Sequence, residues 1–501
     1  MTAGLLVAGG AVLTRGGGEA PSFKPLDMLV RDGRIAALEP AGRIARSAST
    51  AGTQARAAND VLDASGRLVL AGLVNAHSHS YGQVCRHCLN DDTLEPWLPR
   101  AMAYAQGMTP ADSALAARLH AADALRNGVT LLLDHARLAP DHLDGAIDAY
   151  QACGVRVALA PQIGDRTIAD SLPVIDPALH AAIAAADRWR PRTAADLLDL
   201  MASLVRRTAG GSHVRALVGP STAERCTPEL LAALSALARE HGLAVHTHLL
   251  ESRVQRRGGD PLAVLESAGL LGERTTLAHC VHLTAADRAR IAASGATVVH
   301  NPHSNLATGA GYFDLRAALD AGVPVAFGTD GFNCGGSQDW LAAMRVGVTL
   351  RRPDEPSDRW VRPADVWTMA IEGAALALGF GDVAGRIEVG LGADFLVVDP
   401  AAAGCYAGPD WLDQLAFAGF GGGLERVYVA GRLLVERGRL LHVNEARLGD
   451  EAAAAYERIE RTTRDGQAAA AALRTPLRRL SDLASGRAHR AGPENSSTKR
   501  N

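Results

Sequence analysis

Leu68-Val69-Leu70-Ala71-Gly72-Leu73-Val74-Asn75-Ala76-His77-Ser78-His79 is an apolar run that ends in two imidazoles. Side chains at i and i+2 of a strand face the same way, so the pair can grip one metal ion from a strand end. Alone, His-x-His also describes two surface residues or two neighbours of a core. Three further apolar runs end in metal-ligand chemistry: Ala244-Val245-His246-Thr247-His248 with Glu251 three residues on, Thr275-Thr276-Leu277-Ala278-His279, and Pro324-Val325-Ala326-Phe327-Gly328-Thr329-Asp330. Strand ends bearing His, His, His and Asp predict a closed ring of parallel strands around one metal.

Around these runs, short apolar segments alternate with amphipathic stretches, the pattern of parallel βα units. Eight segments qualify as strands: 67–76, 129–134, 156–161, 214–219, 244–248, 275–279, 296–300 and 324–329. They predict an α/β fold, a (β/α)8 TIM-like barrel. Helix starts agree, since Thr109-Pro110, Thr227-Pro228 and Asp260-Pro261 each place an N-cap residue before Pro at the first helical position. Residues 164–195, the longest excursion, read as a lid or rim insertion.

Before the barrel come short strands and tight turns, with Asp32-Gly33 between apolar runs as a hairpin signal. The same texture returns in 385–390, 393–399 and 427–432, so both chain ends are expected to build one small β-sandwich domain. The expected layout is β-sandwich over 1–69, barrel over 70–384, β-sandwich again over 385–447, a C-terminal helix over 448–475, and a disordered polar tail over 476–501.

A chain of 501 residues, 48% hydrophobic, can bury a large core, and a formal charge of −3 gives no general attraction to nucleic acid or anionic lipid. The N-terminus lacks a basic segment and no apolar stretch is long enough to span a bilayer, so the cytoplasm is expected. Seven scattered cysteines fit reduced thiols, and the lone Cys85-Arg86-His87-Cys88 reads as loop chemistry. Lys24 and Lys499 are the only lysines. The barrel therefore has none for a Schiff base or for a carboxylated-lysine bridge between two metals.

In such a barrel, catalytic groups sit at the C-terminal strand ends. His77, His79, His248 and Asp330 supply a nitrogen and oxygen shell for one divalent ion, zinc by preference with iron as the alternative. Water bound there becomes a nucleophile near neutral pH. Asp330 accepts its proton, Glu251 carries a proton to the leaving group, and His279 holds the water or the developing oxyanion. Singly, His279 or His282 is the kind of histidine that packs in a core, and Thr329-Asp330-Gly331 the kind of triplet that makes a turn. Together, on strands one, five, six and eight, they are hard to read as accidents. His246, alternating with His248, is expected on the opposite face in a structural role. His300 and His303 are placed near the pocket with open roles.

The arrangement resembles the amidohydrolase superfamily, in particular its mononuclear-metal deaminase and chlorohydrolase branch, over roughly residues 5–440. The matching segments are Asn75-Ala76-His77-Ser78-His79, Leu94-Glu95-Pro96-Trp97-Leu98, His246-Thr247-His248-Leu249-Leu250-Glu251-Ser252, Leu277-Ala278-His279-Cys280-Val281-His282-Leu283, Asn301-Pro302-His303-Ser304-Asn305-Leu306 and Gly328-Thr329-Asp330-Gly331. By that likeness His77, His79, His248 and Asp330 match the metal ligands, and Glu251, His279 and Asp330 the proton carriers. Where nucleoside-deaminating relatives carry Gly-Pro-His, this chain has Gly219-Pro220-Ser221, and nine residues past Trp97 their ribose-binding Glu is replaced by Gln106. Both departures argue against an adenosine-type substrate.

The expectation is a metal-dependent hydrolase that deaminates an N-heterocycle and releases ammonia. The alternatives are hydrolysis of a cyclic amide, a substituted amine or a carbon–halogen bond, or a non-catalytic scaffold on the same fold. Trp97 is expected as an apolar wall or a packing residue, with Gln106, Ser221, Arg225 and His303 as substrate readers. The expected partners are a small heterocyclic substrate and a second copy of the chain in a homodimer, with no nucleic acid and no membrane.

Overall fold

Residues 4–15, 21–44, 58–86, 91–174, 176–187, 190–406 and 410–486 are described by a computed structural model. The first strands are β1 (Gly4–Thr14), β2 (Ser22–Arg31), β3 (Arg34–Pro40), β4 (Ala58–Asp63) and β5 (Leu68–Ala71). β2 and β3 form the expected hairpin, with Asp32 at φ 50° and Gly33 at φ 74° making the turn. The run that opens the barrel is two strands rather than one: β5 pairs with β1, and β6 (Leu73–His79) starts a different sheet. Gly72 lies between them because a Cβ there would collide with the Thr130 side chain. The chain thus crosses at Gly72, slightly beyond the expected boundary of 69.

β6 belongs to a parallel sheet with β7 (Val129–Asp134), β8 (Arg156–Leu159) and β9 (Val214–Ala216). A second parallel sheet contains β10 (Val245–Leu249), β11 (Thr275–His279), β12 (Thr297–His300) and β13 (Val325–Phe327). Every residue of β6, β7, β8, β10, β11, β12 and β13 is buried, as expected of strands covered on both faces by helices. A parallel bridge between Val218 and Val245 links the two sheets at one side. At the other, β14 (Asp330–Gly331) pairs with Ser78 and His79 of β6. Helices alternate with these strands, and Thr109 and Thr284 close capping boxes with Asp112 and Asp287.

The chain then returns through β15 (Phe395–Val398), β16 (Leu424–Val429), β17 (Arg432–Glu436) and β18 (Arg439–Leu440), which complete one nine-stranded mixed sheet from both chain ends. Residues 385–390, expected to be extended, contain no strand. The sheet has its own apolar core, including Val12, Met28, Ile35, Phe395 and Tyr428, the last two with stacked rings. It is tied to the parallel strands by Arg156 of β8, which donates to both carboxylate oxygens of Asp394 at 2.5 and 2.9 Å.

Two C-terminal helices follow, Glu445–Thr462 and Arg464–Ser485. The second continues through Pro476, so the tail expected from 476 is helical to Ser485; 487–501 lie outside the described residues, as does Cys88 of the C-x-x-C. Its apolar face (Leu473, Leu477, Leu480) packs on Leu179 and Ile183 of the 164–195 excursion. Among the described residues no helix is long and apolar enough to cross a membrane.

Replacing Arg156 with Met leaves Asp394 buried at 3% exposure without its partner. We expect a loss of about 3–5 kcal/mol in urea unfolding, with the Arg156→Met/Asp394→Leu pair recovering most of it. A single-mutant loss below about 1 kcal/mol would overturn that role.

Candidate active site

The polar residues of β6, β10, β11 and β14 converge at the C-terminal strand ends. His77 Nε2 and His79 Nε2 lie 3.5 and 3.3 Å from Asp330 Oδ1, and His279 Nε2 lies 3.6 Å from Asp330 Oδ2. His248 Nε2 is 3.3 Å from His79 Nε2. Backbone geometry turns these groups inward: Leu250, His279 and Asp330 have φ of 49°, 73° and 62°, the left-handed region that side chains other than glycine's rarely adopt. Register between the first and last of these strands is held by Asn75. Its amide donates to Thr329 Oγ1 and Gln338 Oε1 at 2.7 and 3.0 Å, and its oxygen accepts from Thr329 N.

Each imidazole is fixed from behind. His79 Nδ1 donates to the His135 carbonyl, His248 Nδ1 to the Ser221 carbonyl, and His279 Nδ1 to Asn305 Oδ1, at 2.7, 2.7 and 2.8 Å. His77 Nδ1 pairs with His246 Nε2 at 2.8 Å, and His246 Nδ1 with Thr276 Oγ1 at 2.7 Å. One consistent tautomer puts the proton on Nδ1 throughout, so that His246 Nε2 accepts from His77 and the Nε2 lone pairs of His77, His79, His248 and His279 face the cluster. His77 Nε2 is buried and makes no hydrogen bond. Burial keeps His77 well below the usual imidazole range and pushes His248 down to about 3, with His79 and His279 adding to the second shift. Imidazole nitrogens, one of them unbonded, and one carboxylate are donors of the kind that suit a divalent cation. Sets of ligand atoms within 4.8 Å of one another are His77, His279 and Asp330, and His77, His135 and His248.

The two carboxyls behave oppositely. Burial opposes the charge on Asp330, yet His77, His79 and His279 hold its carboxyl well below the ordinary value. Burial, reinforced by Asp330 and Glu95, raises Glu251 well above it. Glu251 Oε1 lies 3.7 Å from His279 Nδ1, and its backbone N–H is held by Gln255 Oε1 at 2.6 Å. Two carboxyls shifted in opposite directions therefore share a cavity.

That cavity spans about 1030 Å³ including its open mouth, and reaches from His79, His248, Glu251, His279 and Asp330 past Trp97, Ser221 and Arg225. Gln106 and His303 are not in its wall. Nine residues past Trp97 is roughly 13 Å further along the helix Leu94–Gln106, whose exposed last residue Gln106 is. The carboxylate that this helix puts in the wall is Glu95, which accepts a hydrogen bond from Ser481 of the last helix. In the helix Pro302–Ala307 the inward positions are Ser304 and, one turn on, Thr308, so His303 is rotated off the cavity. His300 does not line it either: both its ring nitrogens are buried without a hydrogen bond, between Phe313 and Phe327.

His246 does not face away from His248. Residues two apart on a strand share a face, and its ring lies against that of His77. His135, one residue past β7, was not singled out in the sequence. Its ring stacks on His248, its Nδ1 is buried and unbonded, and a polar pair, Asp134-His135, ends an apolar strand there as elsewhere. Ile168, Ser171, Leu172 and Pro173 bring the 164–195 excursion into the cavity wall.

Residues 68–434 match the amidohydrolase family. A 5-methylthioadenosine/S-adenosylhomocysteine deaminase of Halobacterium salinarum is 30% identical over 456 residues, 90% of this chain and 96% of that one. An adenosine deaminase from Xanthomonas campestris, solved with bound zinc, superposes with a TM-score of 0.77 at 25% identity, covering 91% of this chain and 98% of that one. The atrazine chlorohydrolase of Arthrobacter aurescens, complexed with zinc, gives 0.79 at 23% identity over 90% and 100% and shares the fold.

Because His246 holds His77 from behind, His246→Leu should weaken divalent-metal binding by about 10–100-fold. Competition against a metal-binding dye measures this. Unchanged affinity would make His246 a packing residue.

Proposed function

Because this chain belongs to the amidohydrolase family, we propose that it is a metal-dependent aminohydrolase that replaces an exocyclic amine of an N-heterocycle with oxygen and releases ammonia. The observation that carries this reading is one cavity holding two carboxyls shifted in opposite directions, Glu251 upward and Asp330 downward. Hydrolytic deamination needs both, a base for the attacking water and an acid for the departing nitrogen. The names of the relatives support the reaction class. They also weigh against excluding adenosine-type substrates, since Gln106 lies outside the cavity; Ser221, which lines it, remains as the departure.

His77, His79, His248 and Asp330 would hold one divalent ion, zinc by donor preference with iron as the alternative. When bound, that ion supplies Lewis acidity and makes a water nucleophilic at neutral pH. Asp330 takes the proton of the attacking water. Glu251, protonated at rest, delivers a proton to a ring nitrogen or to the leaving amine. His279, its Nδ1 tied to Asn305, aims Nε2 at the developing oxyanion. Trp97 gives the heterocycle an apolar wall, with Ser221 and Arg225 as polar readers.

We further propose that the parallel strands close as a (β/α)8 barrel, which the Val218–Val245 bridge and the β14–β6 pairing support. Its companion sheet folds on its own core as a β-sandwich. A cytoplasmic homodimer is the assembly proposed, and the buried free cysteines suit that compartment.

Elemental analysis should find one divalent metal per chain, lost in His77→Ala; a reproducible two would overturn the single-ion reading. Ammonia release by metal-loaded protein from purines, pterins, pyrimidines and triazines tests the reaction. Glu251→Gln should keep metal and fold while losing turnover by about 10²–10⁴-fold. A near wild-type rate would move the proton carrier elsewhere, and no ammonia from any of these classes would overturn the deaminase reading.

A further inference from the structure

His135 follows β7 and takes part in none of the chemistry assigned above. Three hydrogen bonds fix it: its backbone N–H donates to the Ser78 carbonyl at 2.8 Å, its carbonyl accepts from His79 Nδ1 at 2.7 Å, and its Nε2 donates to the Gly219 carbonyl at 3.2 Å. The last of these puts the ring proton on Nε2 and leaves a lone pair on Nδ1. That nitrogen is buried and has no hydrogen-bond partner, a condition it shares with His77 Nε2 in the same cluster. His77, His135 and His248 each bring a ligand atom to within 4.8 Å of the others.

A buried lone pair costs free energy until something meets it. The rings around His135 are imidazoles: His248 at 4.9 Å and His246 at 5.0 Å between ring centres, His79 at 5.7 Å and His77 at 6.3 Å. An imidazole bound at about 2.0–2.1 Å has its ring centre roughly 3.2 Å from the ion, so two rings on one ion lie up to about 6.4 Å apart. His135 meets that span to His77, His79 and His248 at once. We propose that His135, through Nδ1, is a further ligand of the divalent ion, which then sits among four imidazoles and the Asp330 carboxylate. Such a nitrogen-rich shell favours zinc over manganese. In a six-coordinate ion it leaves one position for water. The inference rests on the metal-dependent reading and adds a donor to it.

The test uses the full-length protein. His135→Gln keeps a donor for the Gly219 carbonyl and removes the atom at Nδ1, whereas His135→Asn does the reverse and sets its side-chain oxygen near the Nδ1 position. Zinc and manganese affinities are measured by competition against a metal-binding dye. His135→Gln should weaken zinc binding by about 100-fold or more, beyond the loss of a group that only braces a ligand. His135→Asn should weaken it less, with a zinc-to-manganese affinity ratio below that of the wild type, because an oxygen replaces a nitrogen. Diffraction from crystals of the zinc-loaded wild-type protein, which needs no variant to fold, should place Nδ1 about 2.0–2.1 Å from the ion. One bound ion with a water between it and Nδ1, zinc affinity unchanged in His135→Gln, or tighter binding by His135→Gln than by His135→Asn would overturn the ligand and leave the metal site standing. A wild-type protein that binds no divalent ion would remove the metal-dependent reading itself.

Discussion

Asp330 keeps an ionised carboxylate at 3% exposure, and its ion-pair partners among the described residues are three histidines, with no lysine or arginine. Burial opposes that charge and opposes charge on His77 and His279 as well. A buried charge this poorly matched is tolerated where a cation is to be held. The rest of the site follows from that constraint. Each ring is tethered by its rear nitrogen, and the second acid, Glu251, is kept dry, which raises its carboxyl. Four non-glycine residues, Leu250, His279, Cys280 and Asp330, accept left-handed backbone at strand ends, at roughly 1–2 kcal/mol each.

Chemistry and recognition come from different parts of the chain. The strand ends carry the cluster, whereas the cavity wall is assembled from the helix Leu94–Gln106, the 164–195 excursion and the turn around Arg225. The last helix braces that wall, through the apolar contact with Ile183, the Ser481–Glu95 hydrogen bond and ion pairs from Arg474 and Arg478 to Asp92.

Much of this was legible because strand periodicity is simple. His77 and His79 share a face by a spacing of two, and the alternation of apolar runs with capped helices marked the parallel strands. His246 and His248 have the spacing of His77 and His79, so the same rule puts His246 on the inward face, where its ring meets that of His77. His135 escaped notice because Leu131-Leu132-Leu133-Asp134 reads as plain core. Gln106 and His303 were placed by distance along the chain, while cavity walls select by helix rise and rotation. Gly72 hid a change of sheet inside one apolar run, since a glycine shows no sign in sequence of which side chain crowds it. The last helix was cut short at Pro476, where tertiary packing of Leu477 and Leu480 outweighs the missing N–H.

The mixed sheet has a consequence in time. β5 begins at residue 68 and its partner β15 at residue 395. At synthesis rates of about 5–20 residues per second, the partner reaches β5 on the order of tens of seconds after it. Throughout that interval the nascent chain presents an apolar strand, Leu68-Val69-Leu70-Ala71, with one edge unpaired. Until β15 emerges, association through this four-residue edge competes with the native pairing.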